Sequence, residues 1–448
     1  MGFKKNFVWG AATASFQIEG AADKRGDSIW DVQCRQPGQI YGGHDGTVAC
    51  DHVNRFREDV ALLKELGIPN YRFSISWPRV LPEGTGKVNE EGLQFYSDLV
   101  DCLLENGIEP YVTLYHWDLP QSLMAKGGFL NPDFPQWFEA YTEIVARKLG
   151  DRVKNFFTFN EPQCCIGLGY YVGNNAPCIK GLPLENMVPL VHRCLKAHGL
   201  AVRKLRQLVP GVKVSIVPCG SAAIPLTDSP ADLKAATDHY FACRENDYFS
   251  VSLYCDPVVL GKYPDEYLAY AEKHLPEGWK DDMAIISEPI DFISVNIYYG
   301  DEVRCGSDGK PEVLPHAVGE PRTAIGWGIA PDALYWAPRM LHERYHLPVF
   351  ITENGMSCHD AVSLDGKVHD PNRIDYLHRY LLALRRAADD GVDVGGYFQW
   401  SLMDNFEWCL GYSQRFGLIH VDFQTLKRTP KDSAYWYGQV IASNGESL

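Results

Sequence analysis

The chain has 448 residues, room for roughly two to four ordinary domains of about 100–200 residues or for one large barrel. Its composition, 46% hydrophobic, 22% charged and 12% aromatic with 40 glycines and 28 prolines along the chain, excludes collagen, coiled coil and long disorder. A formal net charge of −15 repels phosphate backbones and anionic lipid, which argues against nucleic acid and membrane surfaces as partners.

At the start, Lys4-Lys5 followed by Phe7–Ala11 and Ala12-Thr13-Ala14 imitates a secretory leader. The apolar run is too short for one and carries Trp9 and Gly10, so Phe7–Ala14 is expected to be a first buried strand instead. Next comes an internal echo. The run Leu66-Gly67-Ile68-Pro69-Asn70-Tyr71-Arg72-Phe73-Ser74-Ile75-Ser76-Trp77 overlays Asn106–Trp117 at an offset of 40, with Gly, Ile, Tyr and Trp coinciding. Each copy follows an apolar helical face, Val53, Phe56, Val60 and Leu63 before the first and Leu93, Tyr96, Val100, Leu103 and Leu104 before the second. The glycine suits the left-handed residue that ends a helix, and the run after it suits a strand buried on both sides.

A third copy has Gly150 ending a helix and Asn155–Phe159 as its strand. Val212–Val217, Phe292–Val295, Val349–Thr352 and Gly395–Trp400 complete eight strand candidates. No linker marks a boundary. The expected fold is therefore α/β, a single (β/α)8 barrel over residues 1–448 with elongated loops after the strands; an open doubly wound sheet is the alternative. The 13 cysteines include the adjacent Cys164-Cys165 but no Cys-x-x-Cys pair, and no Asn-x-Ser/Thr acceptor occurs. Free buried thiols in a cytoplasmic, reducing setting are expected.

In a barrel, chemistry gathers where strands end. There the sequence places Gln17, Arg72, His116-Trp117-Asp118, Asn160-Glu161, Asn296 with Tyr298, Glu353-Asn354, Trp400 and Asp404-Asn405-Phe406-Glu407-Trp408. Such a set suits a neutral polyhydroxylated ligand, with amides, imidazole and carboxylates bonding hydroxyls and indoles covering the apolar ring face. Nucleotide signatures fail: Gly84-Thr85-Gly86-Lys87 has Leu81 where the first glycine belongs, and Gly167-Leu168-Gly169 with Gly173 misses the dinucleotide spacing. Gly-x-Ser-x-Gly is absent. His116-x-Asp118 offers two possible metal ligands and no evident third. Glycoside cleavage needs two carboxyl groups, one protonated and one ionised. Glu161 and Glu353 fit, standing 192 residues apart, so that only a closed barrel makes them face one another. The plain alternatives are an N-cap for Glu161 and a surface carboxylate for Glu353.

The runs Tyr71–Arg79, His116–Pro120, Thr158-Phe159-Asn160-Glu161-Pro162, Ile351-Thr352-Glu353-Asn354-Gly355 and Asp404–Trp408 resemble glycoside hydrolase family 1, and the resemblance runs over nearly the whole chain. It implies a retaining β-glycosidase that removes terminal β-glucosyl, and also β-galactosyl, residues from β-linked oligosaccharides or aryl and alkyl β-glycosides. Neither cofactor nor metal is implied. Glu161 is implied to be the acid/base and Glu353 the nucleophile, roughly 5–5.5 Å apart. Arg72 and Tyr298 match positions that contact the nucleophile, and Asn160 and Asn296 match positions near the reacting centre. Gln17, His116, Glu407 and Trp408 match the residues holding the outer hydroxyls, Trp400 the stacking platform, and Trp327 the wall of the leaving-group site. Departures fall around the pair: Gln163 replaces a common aromatic residue, which predicts weaker apolar pressure on Glu161; Asn175-Ala176-Pro177-Cys178 and Ile297 are the others. A 6-phospho-β-glycosidase and a non-catalytic sugar-binding barrel are the rival readings.

Overall fold

The computed structural model describes residues 2–448. Eight parallel strands form one sheet: β1 Val8–Ala12, β2 Asn70–Ser74, β3 Glu109–Tyr115, β4 Asn155–Asn160, β5 Lys213–Val217, β6 Ile293–Asn296, β7 Val349–Asn354 and β8 Val394–Trp400. The order is 5-4-3-2-1-8-7-6, so consecutive strands are neighbours and β1 pairs with β8 in register from Val8–Gly396 to Ala12–Trp400. A sheet whose first and last strands pair in this way is a barrel. The β5–β6 seam closes it more sparsely, through Asp291 N–H to Val214 C=O at 2.9 Å and Asn296 N–H to Pro218 C=O at 3.0 Å.

One main helix follows each strand: α1 His52–Glu65, α2 Glu90–Glu105, α3 Phe134–Leu149, α4 Leu184–Leu208, α5 Trp279–Ile286, α6 Ala333–Tyr345, α7 Pro371–Asp389 and α8 Asp432–Ala442. All eight strand candidates are therefore real, and the repeat is the βα unit of the barrel. Gly67 and Gly107 have φ of 68° and 74°, the left-handed stop that their position after a helix predicts.

Two details differ from expectation. Leu104 is 37% exposed, because it stands a further 100° around α2 from Leu103, beyond the buried stripe of Leu93, Tyr96, Val100 and Leu103. Gly150 has a right-handed φ of −69°. Its role is close approach instead, since a Cβ there would stand 2.4 Å from Val209 Cγ2.

The long connections carry structure that apolar periodicity did not signal. A π-helix, Cys164–Val172, follows β4, and a small sheet of Ala222–Pro225, Gly300–Cys305 and Pro311–Val313 lies beside the main one. The 13 cysteines are all free; five are buried, while the others, including Cys164 and Cys219, are half-buried. No helix among the described residues is long and apolar enough to cross a membrane.

Candidate active site

A cavity of about 360 Å³ opens where the strands end, at the small end of the ~300–1,000 Å³ typical of small-molecule sites. His116, Asn160, Glu161, Tyr298, Trp327, Glu353, Trp400, Glu407 and Trp408 line it. Gln17, Arg72 and Asn296 sit behind that lining, buried, and reach it through hydrogen bonds. Pocket walls that the sequence reading did not assign come from the connections, among them Cys164, Leu168, Ile325 and Leu410. The first two lie on the π-helix, whose wide turns leave no apolar period in the sequence.

Strand irregularity aims the two glutamates. Register shifts occur between Phe157 and Asn160 against β5 and between Ile351 and Glu353 against β6, and such bulges redirect side chains at strand ends. Glu161 has φ 43°, with Trp117 at 75° and Trp408 at 50°, three non-glycine residues in a conformation that costs about 1–3 kcal/mol each and that gathers at functional sites. Neither plain alternative survives: Glu161 is 7% exposed and Glu353 3%, and the side chain of Glu161 does not cap the helix that follows.

The surroundings of the two carboxyls differ. Arg72 Nη1 donates to Glu353 Oε1 at 2.7 Å, and Tyr298 Oη donates to Oε2 at 2.8 Å. Arg72 itself is fixed by Thr113 Oγ1, Asn160 Oδ1 and the Thr352 carbonyl. Glu161 Oε1 accepts from Asn296 Nδ2 at 2.8 Å, and its other close polar neighbours are the Cys164 and Cys219 thiols. Burial raises both carboxyls above the usual carboxylate range, and Arg72 and the Tyr298 hydroxyl pull Glu353 back down. A cation and a phenol hold one carboxyl, neutral groups the other. That asymmetry favours the charge on Glu353 and the pair's remaining proton on Glu161.

Unpartnered buried atoms mark where a ligand's hydroxyls belong. Asn160 Oδ1 accepts from Arg72 and Asn296, so its Nδ2 donates to His116 Nε2 at 3.0 Å. This fixes the proton of the neutral imidazole on Nδ1, which has no partner. Gln17 Nε2 donates to the Phe406 carbonyl at 2.8 Å and lies 3.4 Å from Glu407 Oε2, while its Oε1 is buried without a donor. A donor and an acceptor thus wait unsatisfied, a costly state that a hydroxyl relieves. Burial and the repulsion of Glu353 and Glu161 push Glu407 up to about 8. The His116 ring lies nearly parallel to Trp400 and Trp408, at 5.7 and 6.1 Å, and Trp327 packs on Tyr298 at 4.9 Å.

Metal ligation by His116 and Asp118 finds no support: His116 bonds Asn160, whereas Asp118 accepts from Ser15 Oγ at 2.9 Å. Gln163 does not face the cavity. Its amide clamps the Cys219 backbone, donating to the carbonyl at 2.9 Å and accepting from N–H at 3.2 Å. Glu161 is enclosed nonetheless, so the loss of an aromatic residue at 163 does not relieve its burial.

A closed (β/α)8 barrel that presents two buried glutamates of opposite character in a hydroxyl-seeking, indole-walled cavity defines a glycoside-cleaving enzyme. The model of glycosyl hydrolase family 1 matches residues 1–446. The chain is 45% identical over 446 residues to β-glucosidase A of Thermotoga maritima, covering 99% of this chain and 98% of that one. It is 43% identical to a β-glucosidase of Agrobacterium sp., covering 98% and 95%. A solved structure of the Thermotoga maritima β-glucosidase in complex with glucoimidazole superposes with a TM-score of 0.90 at 45% identity, covering 99% of both chains. This protein belongs to glycosyl hydrolase family 1.

Proposed function

We propose that the enzyme is a retaining β-glucosidase that removes terminal β-D-glucosyl, and also β-galactosyl, residues, with Glu353 as nucleophile and Glu161 as acid/base. The asymmetry of the two carboxyls carries this reading. Glu353, ionised beside Arg72 and Tyr298, attacks the anomeric carbon; Glu161 gives its proton to the departing oxygen, then takes one from the water that releases the sugar. His116 Nδ1–H, Gln17 Oε1 and Glu407 bond the outer hydroxyls. Trp400 and Trp408 enclose the ring, and Trp327 borders the leaving group. Asn160 is assigned to the 2-hydroxyl. Family relatives named β-glucosidases support the substrate, and 13 free thiols fit a cytoplasmic enzyme acting on short β-glucosides such as cellulose fragments.

The roles are tested by azide rescue. Glu353→Ala should lose turnover of an aryl β-glucoside and, with azide, yield the α-glycosyl azide, while Glu161→Ala should yield the β-azide from substrates with activated leaving groups. The reverse pattern would mean the roles are exchanged. Among the described residues neither Lys nor Arg lines the cavity, so 6-phospho-β-glucoside should be a far poorer substrate than the neutral sugar; a preference for it would overturn the substrate assignment.

A further inference from the structure

Beside the two glutamates lie two thiols that sugar cleavage does not use. Cys164 Sγ and Cys219 Sγ are 3.7 Å apart, and these sulfurs and a Glu161 carboxylate oxygen all lie within 4.8 Å of one another. Two thiolates bound at about 2.3 Å to a tetrahedral zinc ion stand about 3.8 Å from each other. The sulfurs are therefore already at ligand spacing, and the carboxylate needs at most about 1 Å of side-chain adjustment to reach the ~3.6 Å expected between oxygen and sulfur ligands.

The chain supports this arrangement from behind. Cys164 is on the first turn of the π-helix, three residues after Glu161. Cys219 follows β5, and both backbone polar groups of Cys219 are held by the Gln163 amide. Thus the residue that departs from the family pattern at 163 fixes the second sulfur. Glu161 and Cys164 both line the cavity, which supplies an entry path and room for a water as fourth ligand.

We propose that Glu161, Cys164 and Cys219 form a binding site for one soft divalent cation, zinc or cadmium, whose occupation switches the enzyme off. The donor set of two sulfurs and one carboxylate selects such ions over magnesium and calcium, which prefer oxygen alone. On binding, two S–H bonds and the Glu161 O–H break, their protons pass to solvent, and two metal–sulfur bonds and one metal–oxygen bond form. Glu161 then has no proton to give. The inhibition, though not the binding, rests on the acid/base reading of Glu161.

The test is a zinc titration of the purified, chelator-treated enzyme by calorimetry, with cadmium as a second probe read by thiolate-to-cadmium charge-transfer absorption in the ultraviolet. One ion per chain is expected, with turnover of an aryl β-glucoside lost at the same concentration and restored by chelator. Cys164→Ser and Cys219→Ser should each weaken binding by at least about tenfold, whereas Cys409→Ser, which alters another cavity-lining thiol, should not. Absence of stoichiometric binding, or equal affinity in wild type and Cys219→Ser, would overturn the site. Binding with the expected variant pattern but undiminished turnover would uphold the site and overturn the acid/base role of Glu161.

Discussion

Two carboxyls of the same chemical type acquire opposite tasks from the few groups that touch them. Burial raises the Glu353 carboxyl, whereas Arg72 and the Tyr298 hydroxyl lower it. With the pair's proton on Glu161, substitutions at Glu161 and Tyr298 should therefore act on different limbs of the pH–rate profile. In Glu161→Gln the acidic limb, set by ionisation of Glu353 beside a neutral partner, should stay close to its place, while the alkaline limb, set by loss of the Glu161 proton, disappears. In Tyr298→Phe a hydrogen bond to the charged form is lost, so the acidic limb moves up, and kcat/KM falls by the ~1.5–3 kcal/mol of a charge-assisted bond. Both are measured with an activated aryl β-glucoside, which needs little acid assistance. A large downward shift of the acidic limb in Glu161→Gln would show Glu161 charged while Glu353 ionises and would contradict the assigned protonation.

The elements differ in how openly the sequence declares them. Strands buried on both faces read as short apolar runs, and the helices before β2 and β3 end in glycines with left-handed φ, so the barrel was legible from Gly67 and Gly107 onward. The catalytic candidates were legible too, because they follow those runs directly. The rest of the pocket was not: Cys164 and Leu168 sit on a π-helix, and Ile325 and Leu410 on connections, where no period links residue spacing to direction. Gln163 shows the same limit, since only the fold turns its amide toward Cys219. Glycines separate the two kinds of constraint. An added Cβ meets nothing within 4 Å at Gly67 or Gly107, whereas at Gly355 it would stand 1.8 Å from the Trp400 carbonyl oxygen. Gly67→Ala and Gly107→Ala should each cost about 1 kcal/mol in denaturant unfolding, the left-handed strain of roughly 1–2 kcal/mol less the ordering gained in the unfolded chain, with kcat unchanged. Gly355→Ala must push β7 from the end of β8 two residues beyond Glu353, and should lower kcat as well as stability. An unaltered kcat in Gly355→Ala would show that the strand ends tolerate that displacement.

At the scale of the whole molecule, the site exists only because the sheet closes. Glu161 directly follows β4 and receives its hydrogen bond from Asn296 on β6, across the β5–β6 seam, while Glu353 on β7 pairs in register with Asn296. Asp291 fastens that seam. Its Oδ2 accepts from the Val214 N–H at 2.7 Å and from Arg206 Nη2 at 2.9 Å, and its own N–H donates to the Val214 carbonyl. Val214 is fully buried, so Asp291→Ala leaves its N–H with a lost partner, at a cost of about 1–3 kcal/mol. Asp291→Asn retains an acceptor at the same place and should recover most of the loss. Because the seam has fewer backbone bonds than the ladders flanking it, the weakening should be local. In Asp291→Ala, amide exchange at β5 and β6 should accelerate while β1, β2 and β3 keep their protection. Asn296 moves with β6, so kcat should fall although Asp291 lies at the opposite end of β6 from the cavity. Uniform loss of protection around the barrel, or full activity in a variant whose seam exchanges faster, would show that closure at β5–β6 does not position the catalytic pair.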